Sequence, residues 1–120
     1  MAIELEDIRE YCLAKPGVTE DFPFDEDTLV FRVVNKLFLL TNLERHPPAI
    51  NLKCDPELAM ELRERYAAVL PGYHMSKKHW NTVVLDGTIE VPEIYAWIDL
   101  SYELVVKGLK KAERMMLGRK

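Results

Sequence analysis

The stretch from Thr28 to Cys54 restricts the fold more than any other part of the chain. It is dense in β-branched and aromatic residues and is broken twice by turn-forming sequence. Leu29-Val30-Phe31-Arg32-Val33 and Phe38-Leu39-Leu40-Thr41 flank Val34-Asn35-Lys36-Leu37, which predicts a β-hairpin. Glu44-Arg45-His46-Pro47-Pro48 reads as a loop because neither proline can donate to a ladder, and Ala49 to Cys54 alternates as a third strand. Antiparallel order is the simplest pairing.

Such a sheet needs a cover for its apolar face, and the flanking segments carry helical periodicity. Leu5, Ile8, Tyr11 and Cys12 recur at three- and four-residue spacing until Pro16-Gly17, after which a loop is expected through Phe24. Asp55-Pro56-Glu57 combines a capping acceptor, a first-turn proline and an acid at the positive end of the helix dipole, and starts a second helix. Its stripe is Leu58, Leu62, Tyr66 and Val69, with a stop at Pro71-Gly72. Tyr73-His74-Met75 is short and extended, and Asn81 to Leu85 has strand composition. Asp86-Gly87 is a turn into a third helix, whose stripe of Ile94, Ile98, Tyr102, Val105 and Leu109 is expected to continue through Ala112 and Met116, weakened at Gly108. Phe22-Pro23-Phe24 is expected to cover one end of the core. The order α-β-β-β-α-β-β-α, with about five antiparallel strands and helices on one face, predicts an α+β two-layer sandwich.

A chain of 120 residues, 48% apolar and 30% charged, is expected to form a single domain over 1–120, with a basic extension over about 108–120. The first residues lack a basic start followed by an apolar run, and no stretch reaches the ~18 apolar residues of a membrane span, so a cytoplasmic protein without membrane association is expected. Cys12 and Cys54 lie in hydrophobic contexts and read as buried, reduced thiols.

The net charge of -4 hides an uneven distribution. Residues 1–27 hold nine acids and two bases, 28–80 five acids and eight bases, 81–106 five acids and no base, and 107–120 one acid and six bases. Two basic islands thus lie in an acidic chain. They can steer a polyanion only if they converge in space.

Several runs resemble the MmcQ/YjbR family: Pro16-Gly17-Val18-Thr19-Glu20-Asp21-Phe22-Pro23-Phe24, Leu52-Lys53-Cys54-Asp55-Pro56, and Pro71-Gly72-Tyr73-His74-Met75. Lys77-Lys78-His79-Trp80-Asn81-Thr82-Val83 with Leu85-Asp86-Gly87, and Ser101-Tyr102-Glu103-Leu104-Val105, extend the resemblance over roughly residues 5–107. It implies a sandwich related to the frataxin-like and secretion-chaperone-like folds, and a DNA-binding label attributed to wing-like hairpins. Two features depart from the family pattern. Asn35-Lys36 stands where glycines or other small residues are expected in the hairpin turn, and the basic tail runs past the usual end.

The residues themselves define no reaction. Cys54 has no base or orienting group near it in sequence, His74 and His79 stand five apart without a cysteine pair, and no Gly-rich phosphate loop occurs; no enzyme activity, cofactor or metal is therefore expected. The best candidate site is Lys53, His74, Lys77, Lys78, His79, Trp80 and Asn81, because lysines and imidazoles beside one aromatic face suit a phosphate and a stacked base. The competing account has Trp80 plugging the core, Asn81 satisfying a turn and the lysines solvated. Two functions follow: weak, non-specific nucleic-acid binding, with DNA as partner, or a protein-interaction module, including as a homodimer, with no nucleic-acid role.

Overall fold

Helix α1 (Leu5–Leu13) buries Ile8 and Cys12, four residues apart, and keeps Glu6 and Asp7 in its first turn, where negative charge meets the positive end of the helix dipole. The computed structural model describes residues 3–72 and 75–119. After α1 it continues as β1 (Val18–Asp21), β2 (Thr28–Val33), β3 (Lys36–Asn42), β4 (Ala49–Lys53), α2 (Pro56–Arg65), β5 (Val69–Pro71), β6 (Trp80–Val84), α3 (Val91–Lys107) and α4 (Lys111–Met116). All strands join one antiparallel sheet in the order β1-β2-β3-β4-β6-β5.

Helices α1, α2 and α3 cover one face of this sheet. Phe31, Leu39, Ile50, Leu52 and Val83 rise from it into a core shared with Ile8, Ala59, Ile98 and Tyr102. A bulge between Phe31 and Arg32 against β3 brings Phe38 into the same layer, edge-on to Tyr102 with ring centroids 5.5 Å apart. Ser101, fully buried on α3, donates to the Phe38 carbonyl at 2.5 Å and accepts the Lys53 N–H at 2.9 Å. One hydroxyl thereby ties helix to sheet without leaving a polar group unsatisfied.

The α+β two-layer architecture is as the sequence implies, with six strands among the described residues where the sequence predicts about five. Strand β1 lies where the sequence predicts a loop, because Val18-Thr19-Glu20-Asp21 carries a single apolar residue. It pairs with β2 as an edge strand, and the Arg9 guanidinium grips Glu20 with two bonds of 2.8 and 2.7 Å. Helix α2 ends at Arg65 instead of running to Val69. Tyr66 turns extended there, and Val69-Leu70-Pro71 become the other edge strand. The strand expected at Tyr73-His74-Met75 falls largely outside the described residues, which exclude Tyr73 and His74. The last helix breaks at Gly108, because Leu109 folds back into the core. The tail then forms α4, and Leu117 just after it lies against Gly17.

The hairpin turn explains how the chain manages without glycine. Val34 itself adopts φ 57°, with the Asn35 N–H donating to Val33 O at 2.9 Å and the Val34 N–H donating to Gly17 O at 3.1 Å. A left-handed β-branched residue costs about 1–2 kcal/mol, offset here by packing of Val34 against the core.

The register gives the sheet two distinct ends. Val18, Val33, Lys36, Lys53 and Trp80 lie at one; Asp21, Thr28, Asn42, Ala49 and Val84 lie at the other. Helices α1 and α3 both start at the second end and finish at the first. No helix among the described residues is long and apolar enough to cross a membrane.

Candidate nucleic-acid interface

Lys53 closes β4 and Trp80 opens β6, and the two are cross-strand partners. Since Leu52 and Asn81 face the helices, alternation puts Lys53 and Trp80 on the helix-free face. Both are half-buried. The expectation that Trp80 plugs the core is corrected: it belongs neither to the core nor to the side chains packed against it. The tryptophan that fills the core is Trp97 on α3, edge-on to Tyr66 at 5.3 Å.

Asn81 is corrected in the opposite direction. It is 2% exposed, its Oδ1 accepts from Arg63 Nε at 2.7 Å, and its Nδ2 donates to the Ala59 carbonyl at 3.3 Å. It is a latch inside the fold and has no surface to offer a ligand. Arg63, a residue that the sequence pattern did not single out, completes the latch by donating from Nη2 to the carbonyls of Lys77 and Trp80. The turn carrying Lys77, Lys78 and His79 is therefore anchored to α2 while those three side chains stand exposed. Gly72 allows this closeness, since a Cβ there would lie 2.7 Å from Trp80 Cβ and 3.0 Å from its carbonyl oxygen. His74 lies outside the described residues.

The two basic islands lie at the same end of the molecule. Lys36, Lys53, Lys77 and Lys78 cluster where strands β3, β4 and β6 begin or finish, and Lys107, Lys110 and Lys111 follow from the end of α3. Leu117 packs the end of the tail against Gly17, beside the start of β1. Three of the acids at this end are engaged, while Glu57 in the first turn of α2 stands exposed without an ion pair among the described residues. Asp55 caps α2, Glu113 accepts the Lys110 N–H at 3.0 Å, and Glu103 pairs with Arg119. Arg119 and Arg114, which donates to the Leu109 carbonyl, are thereby committed within the fold, and Lys107, Lys110 and Lys111 make no ion pair among the described residues. The opposite end gathers Glu6, Asp7, Asp25, Glu26, Asp27, Glu44, Asp86, Glu90 and Glu93.

The thiols are held in the protonated state. Burial pushes Cys12 up to about 12 and Cys54 up to about 11, and although the Cys54 N–H donates to the His79 carbonyl at 2.7 Å, the imidazole side chain is exposed while the thiol is buried. Native protein at pH 8 is accordingly expected to react with a disulfide reagent for thiols at least a hundredfold more slowly than denatured protein. Rapid stoichiometric labelling in the absence of denaturant would overturn this. Among the described residues no three His, Cys, Asp or Glu side chains converge to hold a metal ion.

Comparison with known proteins places this geometry. The YjbR family model matches residues 13–104. The chain is similar to the protein YjbR of Escherichia coli strain K12, at 35% identity over 94% of this chain and 96% of the relative. It is similar to YyaQ of Bacillus subtilis at 34% identity, over 82% of this chain and 95% of that one. Among solved structures it resembles protein DR2400 of Deinococcus radiodurans, carrying the domain DUF419. There the TM-score is 0.89 and the identity 41%, over 97% of this chain and 88% of that chain.

Proposed function

The chain belongs to the YjbR family, and from the arrangement of its charges we propose that it is a non-catalytic, cytoplasmic binding domain whose basic end takes single- or double-stranded nucleic acid weakly and without strong sequence preference. One observation carries the reading: two basic islands far apart in sequence sit at one end of the fold, beside a half-buried indole, while nine acids gather at the other. Cations supply the affinity for phosphate, and the Trp80 face supplies sequence-tolerant stacking. No helix at this end presents a row of Arg, Asn and Gln to base edges, so shape and stacking set any preference. Exposed Met115 and Met116 on α4 favour a second reading, an apolar contact with a protein partner at the same end, including a second copy of the chain.

A salt series decides between them. Nucleic-acid affinity is expected to fall with log salt at a slope of about 0.9 per phosphate engaged, and Lys77→Ala with Lys78→Ala to flatten that slope by roughly 1.8 without moving Tm. Absence of any retardation of DNA or RNA at low salt and micromolar protein would defeat the nucleic-acid reading. Salt-insensitive self-association lost in Met115→Ser with Met116→Ser would establish the other.

A further inference from the structure

At the acidic end, the helix-free face carries a hollow of about 800 Å³ that the basic end does not use. Leu40 and Asn51 of the sheet line it, together with Phe24, Asn42, Arg45 and Met75. Its volume falls within the roughly 300–1,000 Å³ of small-molecule sites.

The chemistry of the lining is one-sided. Asn51 is 8% exposed, in the middle of the sheet; its Oδ1 accepts from Thr82 at 2.6 Å, and among the described residues a single long bond of 3.4 Å, to the Leu40 carbonyl, uses its Nδ2. The Asn42 carbonyl oxygen is taken by the Glu44 N–H at 2.9 Å, which leaves its NH₂ as the free part of the amide. The Arg45 backbone N–H donates to Asn42 O at 3.2 Å, but its guanidinium makes no hydrogen bond or ion pair among the described residues. The carboxylate that lines the hollow, Asp25, already accepts from the Asp27 N–H, the Thr28 N–H and the Thr28 hydroxyl. What remains unspent is donor capacity, next to a phenyl ring that is 67% exposed.

We propose that this hollow is a binding site for a small organic anion in which a carboxylate or phosphate is carried on a flat ring. The guanidinium of Arg45 takes the anionic group, the amides of Asn42 and Asn51 take its remaining acceptors, and the ring lies on Phe24 and Leu40. The surrounding acids weaken long-range attraction, so a fixed donor geometry at short range has to provide the selectivity.

The test is an amide-resolved NMR titration of the full chain with 1-naphthoate, 1-naphthyl phosphate and the uncharged 1-naphthylmethanol. Saturable shifts are expected for the two anions at Phe24, Leu40, Asn42 and Asn51, with the neutral probe at least tenfold weaker. Whichever anion binds more tightly identifies the head group. Arg45→Ala and, separately, Phe24→Ala, both at exposed positions, are each expected to weaken the anions at least tenfold with Tm unchanged. Equal binding of the neutral probe, Kd values within twofold of wild type in both variants, or shifts confined to Lys53, Lys77 and Lys78 would each overturn the assignment.

Discussion

Trp97→Ala is expected to lower the unfolding free energy by about 3–5 kcal/mol, whereas Trp80→Ala is expected to cost about 1 kcal/mol or less. Trp97 is 7% exposed between α3 and α2, against the Tyr66 ring, and its removal leaves a cavity that helices anchored at both ends cannot collapse. At this chain length the loss corresponds to roughly 10–20 °C in Tm. Trp80 is half-buried on the face that no helix covers, so water already meets much of what truncation would expose. Thermal melts of the two variants, side by side, check the contrast. Equal losses would mean that Trp80 belongs to the packed interior and would remove the stacking platform from the proposed interface.

The second large effect is expected at Asn81. Its replacement by Leu, close in volume, is expected to cost about 2–3 kcal/mol, because a hydrogen bond to the half-buried Arg63 guanidinium is lost and that cation keeps only its bonds to backbone carbonyls. The consequence reaches the surface. With α2 no longer holding the turn through Asn81, the amides of His79 and Trp80, which donate to Ser76 O at 3.2 and 2.9 Å, should exchange with solvent faster than those of β4. Arg63→Leu combined with Asn81→Leu should cost less than the sum of the single changes, since the double change no longer strands one partner. Additive losses would show that the two side chains do not act as a unit.

How much of this was legible in the sequence depended on how much apolar signal each element carries. The hairpin, β4, the start of α2 and the body of α3 announce themselves because they bury a whole face or a full stripe. The edge strands do not: β1 has Val18 alone to mark it, and β5 ends in Pro71-Gly72, which reads as a stop for the preceding helix. In the candidate site, Lys53, Lys77, Lys78 and His79 come together as the motif suggested. Trp80 and Asn81 exchange their expected positions, since one residue of register decides which side of a strand meets the helices. Arg63 was invisible because its partners lie fourteen to eighteen residues away and two of its bonds go to backbone carbonyls, which no side-chain pattern encodes. Phe22-Pro23-Phe24 misled for a related reason. Its rings are 48% and 67% exposed and line separate hollows instead of closing the core.

The separation of lysines from acids along the strand axis also governs how the molecule behaves as a whole object. A net charge of -4 and a pI near 5.4 describe it only from far away. Within a screening distance of ~8 Å at physiological salt, a surface meets one pole at a time, and a field gradient turns the particle before it attracts or repels it. The same protein can therefore adhere basic end first to a sulfonated matrix and acidic end first to a quaternary amine one, at a single neutral pH. In concentrated, salt-poor solution its copies should line up pole to pole, a tendency that modest salt erases.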